Sequence, residues 1–472
     1  MTPAARPILG LDDQQVVVGA LRFADVLMVA ATGVASFWFR HGTYKVPEEY
    51  LVAIAIGALL AANYMQMARL YRFAELHRFA LQFGTLTASW SAVILTLLVI
   101  GYFGKVSENF SRVWAVSWFV SAYIALVGLR GLVSLLLERW ARQGRLTYNV
   151  VVVGAGPFGE RLIRHLEGQR ESGVRVLAVF DDRRTRIPDS IDGHAVLGSI
   201  DDLIEFSRRE HVDEIAVALP WSADARLAEI VKKLRTLPID VKLCPGEVAF
   251  DLPNLGYGEV AGVPMLTLLK PPLTGWKLIV KAIEDRALSA LLILLFAPLM
   301  VIIALGIKMT SNGPVLFRQK RYGFNNNEIT VLKFRTMRWD PSASAALLQA
   351  KRNDARVTWF GRLLRQTSLD ELPQLFNVLR GEMSLVGPRP HAVAHNVQYA
   401  AIIDEYLSRH RVKPGITGWA QVNGLRGETR TPDVMRRRVQ YDLDYIEHWS
   451  LLLDLKILAM TPFVGFVHEN AY

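Results

Sequence analysis

Four long apolar stretches alternate with short polar segments along the first 140 residues. They are Val16–Phe39, Leu51–Met67, Phe79–Gly104 and Val113–Leu129. The third contains no Asp, Glu, Lys or Arg, and a helix of that length can cross the hydrocarbon core of a bilayer, which is about 30 Å thick. The pattern predicts a four-helix transmembrane bundle over residues 1–140.

Charged residues within and between these stretches add two expectations. Arg22 and Asp25 lie three positions apart in the first stretch, so they are expected to pair on one helix face. Arginines are concentrated in the loop after the second stretch and in the segment after the fourth. Because cytoplasmic loops carry an excess of Lys and Arg, both ends of the bundle are predicted to face the cytoplasm.

Beyond the bundle, β-branched runs alternate with helical patterns. Strand Asn149–Val153 runs into a glycine-rich turn and a helix, and the next strand, Val174–Phe180, ends at an acid. The glycines and the acid are Gly154, Gly156, Gly159 and Asp181. This order of features predicts a Rossmann-like nucleotide-binding fold over residues 146–250.

A glycine-rich fingerprint does not by itself establish an activity. No Tyr-x-x-x-Lys pair occurs anywhere in the sequence, so the proton relay common to nucleotide-sugar dehydratases and epimerases is absent. We therefore favour a regulatory or degenerate domain. The alternative to a regulatory or degenerate domain is that this fold is active and the protein is a nucleotide-sugar-modifying oxidoreductase.

A fifth apolar stretch, Ala287–Ile307, follows the Pro- and Gly-rich residues 251–275, which predict a linker. The stretch is long enough to span a membrane, but Pro298 lies at its middle, where proline removes a helix hydrogen bond. Both flanks are basic, which favours two cytoplasmic ends. Residues 277–308 are therefore predicted to form a re-entrant helix–break–helix hairpin, which opens a catalytic domain over residues 276–472.

The composition supports a membrane protein and limits the other classes. Of 472 residues, 51% are hydrophobic and 21% charged, which is too apolar for an ordinary soluble enzyme. The net charge is +10, but the basic residues flank apolar runs or lie near Gly and Pro. This placement fits anionic lipid or phosphate better than nucleic acid. The single cysteine, Cys244, excludes an intrachain disulfide framework and a multi-cysteine metal site.

Candidate chemistry is concentrated in the C-terminal third, where the adjacent carboxylates Asp370 and Glu371 lie among arginines. The spacing Ser368-Leu-Asp-Glu371 also fits a helix capping box, in which the acids would be structural. Nearby cations would keep an aspartate ionised and attract a phosphate, and a carboxylate beside phosphate oxygens suits Mg²⁺. Proline on both sides restricts Arg389, which suits bidentate phosphate recognition. A nucleophilic Asp370 is the favoured interpretation.

Several long strings in this region resemble the bacterial polyprenyl-phosphate phosphoglycosyl transferase family. They are RQKR, KFRTM, SLDELPQLFNVLRGEMSLVGPRP and PGITGWAQ, within Lys277–Tyr472. The upstream bundle and Rossmann-like domain resemble the family's large polytopic members. The strings PHAVAHN and RHRVKPGITGWAQVNGLRGET are similar to members that initiate exopolysaccharide synthesis with glucose 1-phosphate.

The resemblance implies roles for individual residues. Asp370 would be the covalent nucleophile and Glu371 the Mg²⁺ ligand. Arg365 and Arg389 would contact phosphate or the nucleotide-sugar, and Pro298 corresponds to the helix-breaking position. Further substrate-binding residues are expected at Lys333, Arg335 and Asp442.

The implied reaction moves a sugar 1-phosphate, expected to be glucose 1-phosphate, from a UDP-sugar to undecaprenyl phosphate through an aspartyl phosphosugar intermediate, and UMP is released. The implied enzyme is a multi-pass protein of the bacterial inner membrane, with its catalytic domain facing the cytoplasm. Its expected partners are the UDP-sugar, undecaprenyl phosphate and membrane lipids, without nucleic acid and with a homodimer left open. A non-catalytic scaffold for polysaccharide assembly is a second alternative. The predicted fold is a membrane helical bundle, an α/β Rossmann-like domain and a mixed α/β catalytic domain with a re-entrant helix.

Overall fold

The chain divides into two compact units, Met1–Tyr148 and Asn149–Tyr472. A computed structural model describes residues 11–467 except 73–75, 77, 143–146, 169–173, 184–188, 221–222, 245–257, 261–262, 340–353, 355, 392, 404 and 426–430.

Four long helices form the N-terminal unit, and each carries one of the predicted apolar stretches. They are α1 (Leu11–His41), α2 (Glu48–Met67), α3 (Phe79–Phe103) and α4 (Arg112–Arg142). All four are long and apolar enough to cross a membrane. Large apolar side chains such as Leu59, Leu98 and Val116 are exposed on them, as is usual for helices that face lipid. The predicted long apolar helices are confirmed.

Gly33 and Gly57 allow the helices of the bundle to pack closely around Trp118. A Cβ atom at Gly57 would lie 2.7 Å from the Trp118 ring, and one at Gly33 would lie 3.0 Å from its Nε1 atom. The indole Nε1 donates to the Val29 carbonyl at 2.9 Å, so the ring is buried without losing its hydrogen bond.

A buried ion pair joins α1 to α4. Arg130 donates to both carboxylate oxygens of Asp25, at 3.0 and 2.7 Å, and the Tyr71 hydroxyl adds a third bond at 2.8 Å. Arg22 donates to Gln66 instead. The predicted pairing of Arg22 with Asp25 is therefore wrong, because an arginine from another helix reaches the carboxylate bidentately.

An eight-stranded sheet forms the first part of the second unit. Its strands are β1 (Tyr148–Val153), β2 (Val174–Phe180), β3 (Ser190–Ile191), β4 (His194–Gly198), β5 (Glu214–Val217), β6 (Asp240–Leu243), β7 (Gly258–Val260) and β8 (Val263–Leu269). Their order is β3-β4-β2-β1-β5-β6-β8-β7. The pairs β2/β4, β1/β5 and β5/β6 are parallel. Three helices accompany the sheet: α5 (Pro157–Gly168), α6 (Ile200–Arg209) and α7 (Asp224–Leu234).

Two strands lie within the segment that its composition predicted to be a linker. β8 pairs antiparallel with β6, and β7 pairs antiparallel with β8. Alternating apolar residues in β8 bury Val263 and Met265 completely. Strands β7 and β8 therefore extend the sheet, and this part of the segment is not a simple linker.

The remainder of the unit is a mixed α/β domain. Its strands are β9 (Leu316–Tyr322), β10 (Glu328–Phe334), β11 (Ser384–Val386) and β12 (Gly415–Thr417). Its helices are α8 (Trp276–Thr310), α9 (Trp359–Gln366), α10 (Gln374–Arg380), α11 (Val393–Ala400), α12 (Trp419–Val422), α13 (Pro432–Glu447) and α14 (Leu451–Val467). β9 and β10 form an antiparallel hairpin, and β11 pairs parallel with β12. The core includes Val378, Met383 and Ile446.

Helix α8 is the fifth helix, within the described residues, that is long and apolar enough to cross a membrane. Its residues on both sides of Pro298 belong to one helix, so the proline does not split it in two as predicted. The side chains of Leu294 and Leu295 are 75% and 65% exposed. Exposure of these side chains in an apolar helix indicates a lipid-facing surface.

Candidate active site

A short 3-10 turn, Leu369–Glu371, carries the predicted acidic pair between α9 and α10. Thr358 caps the start of α9 by accepting from Gly361 N at 2.9 Å. Gly361 packs so closely that a Cβ atom there would lie 2.0 Å from the Thr336 carbonyl. Ser368 has a φ of 57° and makes no side-chain capping bond, so the alternative capping box is not formed. Neither Asp370 nor Glu371 is therefore used in capping the turn, and both carboxylates are available to an active site.

Glu371 is held by two cations from different elements. Its Oε1 atom accepts from Lys333 Nζ at 2.7 Å and from Arg389 Nη2 at 2.5 Å. Arg389 Nη1 also approaches Oε2 at 3.2 Å. Burial alone would raise the pKa of Glu371, but the charges of Arg389 and Lys333 hold it well below its usual range. Glu371 is therefore a fixed anion that positions both cations.

Asp370 has the opposite environment. Within the described part of the chain, no group donates a hydrogen bond to its carboxylate. Burial, and then the neighbouring charge of Glu371, raise its pKa to about 6 against the opposing effects of Lys333, Arg365 and Arg389. A half-buried carboxylate without hydrogen-bond donors is poorly stabilised as an anion, which suits a nucleophile.

Arg365 completes the group of cations beside Asp370. It lies on α9 and donates from Nε to the Thr336 hydroxyl at 2.8 Å. Burial lowers the pKa of Arg365, and the nearby charge of Asp370 opposes that change. Of the predicted residues, the structure thus brings Arg365, Lys333 and Arg389 together around Asp370 and Glu371.

A buried layer fixes the backbone of Arg389. Arg409 donates from Nη2 to the Arg389 carbonyl at 2.9 Å and from Nε to Asp442 at 2.7 Å. Burial, and then the charges of nearby arginines, hold the pKa of His391 well below its usual value. Its neutral ring is therefore available to accept from Arg409 Nη1 at 2.9 Å. Asp442, predicted to bind substrate, is instead the buried partner of Arg409.

Arg321 supports the same loop from β9 and was not assigned a role from the sequence. Its guanidinium donates to the Pro390 carbonyl. Burial, and then the charge of Arg389, lower its pKa to about 10, so it remains protonated at neutral pH. The only signals for Arg321 and Arg409 were the RQKR and RHRVKPG strings in which they lie.

Arg335 does not join the site. It donates to the carbonyl of Asn312 at 2.8 Å and to the carbonyl and hydroxyl of Ser311 at 2.8 and 2.9 Å. These groups follow the last turn of α8, where carbonyls lack helical partners. The expectation that Arg335 binds substrate is therefore replaced by a structural role at the end of α8.

A cavity of about 260 Å³ opens beside Glu371. It is lined by Leu292, Phe296, Thr367, Ser368, Glu371, Leu372, Leu375, Ile416, Thr417, Gln421, Val422, Thr461 and Pro462. Seven of these thirteen residues are apolar, and the polar ones come from the acidic turn and the two residues before it, from β12, from α12 and from α14.

Within the described residues, no group of three or more His, Cys, Asp or Glu side chains could hold a metal ion. Mg²⁺, however, often binds through only one or two carboxylates together with substrate phosphates and water. Asp370 and Glu371 meet that requirement, although Glu371 already pairs with two cations.

The glycine-rich turn after β1 is tightly packed. A Cβ atom at Gly159 would lie 2.0 Å from the Gly154 carbonyl, and Gly154 itself has a φ of +112°. At Gly156 a Cβ atom would meet only Arg183 Nη2, at 3.9 Å. Asp181 accepts from Ala155 N at 2.9 Å and from Arg183 Nη2 at 2.7 Å. The predicted glycines and acid therefore do lie together, and the acid is already paired.

Residues 276–468 match the bacterial sugar transferase family, and residues 66–245 match a family described as a CoA-binding domain. A UDP-glucose:undecaprenyl-phosphate glucose-1-phosphate transferase of Xanthomonas campestris pv. campestris is 37% identical over 458 residues, which are 96% of this chain and 94% of that protein. A protein of the same name from Klebsiella pneumoniae is 36% identical over 453 residues, 96% of each chain. A solved structure of a Rex-family repressor is 20% identical over 21% of this chain and 47% of that chain, and its TM-score of 0.17 is too low to carry an argument.

The match to the transferases extends over nearly the whole chain, including the bundle and the sheet. The family predicted from the motifs is confirmed: the chain belongs to the bacterial sugar transferase family.

Proposed function

We propose that this protein transfers glucose 1-phosphate from UDP-glucose to undecaprenyl phosphate, the first membrane step of exopolysaccharide synthesis. The observation that carries the proposal is the Asp370 carboxylate, which has no hydrogen-bond donor within the described residues and lies among Lys333, Arg365 and Arg389. The choice of glucose and of the lipid carrier follows the names of the relatives.

The reaction proceeds in two displacements at one phosphorus atom. An Asp370 oxygen attacks the β-phosphorus of UDP-glucose, the bond between that phosphorus and the bridging oxygen breaks, and UMP leaves. An oxygen of undecaprenyl phosphate then attacks the same phosphorus, and the bond to Asp370 breaks. The bond between the anomeric carbon and its oxygen is never broken, so the sugar keeps its configuration.

The surrounding cations supply most of the catalysis in this proposal. Phosphoryl transfer depends mainly on positioning and on stabilising charge on the transferring oxygens. Arg389 is well suited because Glu371 fixes its guanidinium and Arg409 fixes its backbone. Lys333 and Arg365 approach from β10 and α9 and would neutralise the diphosphate as it binds.

Mg²⁺ is proposed to bind at Asp370 and Glu371 together with the diphosphate oxygens. When bound, it would supply additional positive charge to the departing UMP phosphate. Glu371 would then exchange one of its contacts with Lys333 or Arg389 for the metal.

We also propose that α8 is re-entrant. Near its start, Asp285 accepts from Ser384 Oγ at 2.9 Å and from Leu385 N at 3.0 Å. At its other end, Arg335 of the same domain binds the Ser311 carbonyl at 2.8 Å. One domain that holds both ends favours a helix that bends at Pro298, since an internal proline kinks a helix without ending it, and that enters and leaves the same side of the membrane. The basic flanks of α8 favour the cytoplasm as that side.

Cysteine labelling tests this topology. Lys277→Cys and Thr310→Cys, each in a Cys244→Ser background, should resist an impermeant thiol reagent in intact cells and react after lysis. Tyr44→Cys, in the loop predicted to lie outside, is the positive control. Reaction of the position-310 cysteine in intact cells would contradict the re-entrant arrangement.

The sheet domain is proposed to be Rossmann-like and regulatory. Its strand order β4-β2-β1-β5-β6 matches that of dinucleotide-binding folds. Asp181 would bind a ribose in such a fold, but it is paired with Ala155 N and Arg183. The oxidoreductase alternative requires an NAD-dependent absorbance change with UDP-glucose, which we do not expect.

Radiolabel transfer tests the function. The full chain in detergent, with UDP-[¹⁴C]glucose and undecaprenyl phosphate, should move label into the lipid extract, and Asp370→Asn should reduce transfer to background. A scaffold would transfer no label in either form.

A further inference from the structure

A short 3-10 turn, Tyr406–Arg411, lies between the site and the sheet domain. On the side of the site, Arg409 donates to the Arg389 carbonyl at 2.9 Å and to Asp442 of α13 at 2.7 Å. Arg409 and Asp442 are 3% and 2% exposed. Because a buried ion pair is screened little by solvent, this pair fixes the turn against α13. The position of the turn therefore determines where the Arg389 backbone lies.

The other side of the same turn contacts the sheet domain. Glu405 directly precedes the turn and accepts at 2.6 Å from Arg235, which lies just after α7. The Ser408 hydroxyl donates to the Arg235 carbonyl at 3.4 Å. Arg411 donates to the carbonyl of Lys270, the residue after β8, at 2.7 Å. The turn is therefore bound to the sheet domain at its start, its middle and its end.

Arg235 also reaches a second element of the site. Its Nη2 atom lies 3.5 Å from the carboxylate of Glu447, the last residue of α13, while its Nη1 atom bonds Glu405. One guanidinium of the sheet domain thus holds the turn and α13, the two elements that the buried pair of Arg409 and Asp442 joins. The side chains of Arg235 and its two acids are 43–51% exposed, so these pairs contribute little to the stability of the fold.

The β9/β10 hairpin makes a second connection of this kind. Asn325, between the two strands, has a φ of 52° and donates to the Ser207 carbonyl of α6 at 3.3 Å. On the same hairpin, the Arg321 guanidinium donates to the Pro390 carbonyl. The turn and the hairpin, which hold Arg389 and Pro390 respectively, are therefore both in contact with the sheet domain.

We propose that Arg235 is a positioning residue for the transfer reaction, through which the sheet domain holds the turn that places Arg389 at the donor diphosphate. This inference rests on the proposed function, in which Arg389 stabilises charge on the transferring phosphate. It gives the sheet domain a physical route to the chemistry. A shift of α7 moves the Arg389 backbone through two contacts, from Arg235 to Glu405 and from Arg409 to the Arg389 carbonyl.

Charge reversal in the full chain tests this route. Arg235→Glu places an acid against Glu405 and Glu447, and adding Glu405→Arg restores the shorter of the two ion pairs with its charges exchanged. The matched control is Lys233→Glu on the same helix, because Lys233 pairs with Asp201 inside the sheet domain at 2.8 Å. The readouts are the melting temperature and single-turnover UMP release over a range of UDP-glucose concentrations.

Arg235→Glu should slow UMP release about fivefold at saturating UDP-glucose, the size expected from one partly exposed ion pair. The effect should fall on the rate and leave the half-saturating UDP-glucose concentration within about twofold, because Arg389 acts on charge in the transition state. The melting temperature should stay within about 2 °C of wild type. The charge exchange should return the rate to within about twofold, and Lys233→Glu should leave it unchanged. An unchanged rate in Arg235→Glu, or a loss that the exchange does not restore, would overturn the proposal.

A background with an altered Arg389 separates positioning from general damage. Arg389→Lys should itself be slow, and adding Arg235→Glu should slow UMP release by less than about a further twofold, because two residues that act through one contact are not additive. The full fivefold additional loss would show that Arg235 acts by another route and would refute its assignment.

Failure of the proposed function has a different signature, since the wild type itself would release no UMP. The coupling is then measured by amide hydrogen exchange, which reports local opening of the chain. Arg235→Glu should speed exchange in the turn and in residues 384–391, and Lys233→Glu should not. Equal protection of residues 384–391 in the two variants would refute the coupling.

Discussion

Replacing Glu371 with glutamine should change the pH at which Asp370 becomes reactive. The neighbouring charge of Glu371 is the second cause, after burial, of the raised pKa of Asp370. Glu371→Gln removes that charge and leaves Lys333 and Arg389 without their anionic partner. Both changes favour the ionised form of Asp370, so its pKa must fall.

The size of the effect can be worked out at one pH. The pKa of Asp370 is about 6, against an ordinary value of 3.8. Removing the neighbouring charge of Glu371 is expected to lower the pKa of Asp370 by about 1, which corresponds to about 1.4 kcal/mol. At pH 5 the ionised fraction would then rise from about one tenth to about one half.

The assay is single-turnover UMP release from UDP-glucose between pH 4.5 and 8, with Mg²⁺ and without lipid. Rates are normalised to each protein's own plateau, because Glu371→Gln should also lower the plateau. The wild-type rate should fall as the pH drops through about 6. In the variant, the same fall in rate should occur at a lower pH. Glu328→Gln, an exposed acid paired with Lys320 on the β9/β10 hairpin, is the control with no shift. An acidic limb at the same pH in Glu371→Gln and wild type would refute the reasoning.

Three further predictions concern the support of the site and the sheet domain. Asp442→Asn leaves the buried Arg409 without its anion. The free energy of unfolding in detergent should therefore fall by about 3–5 kcal/mol, which a lower melting temperature reports. Glucose 1-phosphate transfer should also slow, because Arg389 loses its support. Gly156→Ala should leave lipid-linked product within about twofold of wild type, since a Cβ atom there meets nothing closer than 3.9 Å; abolished transfer in the folded variant would show that this domain takes part in the chemistry. Gly154→Ala should instead lower thermal stability, because its Cβ atom would lie 2.7 Å from the Ala218 carbonyl; an unchanged melting temperature would contradict that packing.

Local patterns were enough to predict the long helices and the group of charges at the site. The apolar stretches are continuous, and Asp370, Glu371 and Arg389 lie within distinctive strings, so each is visible without tertiary contacts. The cavity beside Glu371 was not predictable in this way, because α8, α10, α12 and α14 come together only in the fold.

The pairing of individual side chains and strands with one another was the least predictable property of the fold. Arg335 and Asp442 lie in motifs like those of substrate-binding residues, yet they bind Ser311 and Arg409. Asp25 pairs with Arg130 from a different helix, 105 positions away in sequence. Likewise, the pairing of β8 with β6 depends on a sheet edge that composition does not reveal.

The covalent intermediate is the most direct test of the central claim. The full chain is incubated with UDP-[¹⁴C]glucose and Mg²⁺ without lipid, quenched, digested and examined by mass spectrometry. A hexose phosphate should be found on the peptide that contains Asp370, should be absent in Asp370→Asn, and should disappear when undecaprenyl phosphate is added before the quench. Lipid-linked product formed by Asp370→Asn at the wild-type rate, or an adduct on another residue, would contradict the assignment of Asp370 as the nucleophile.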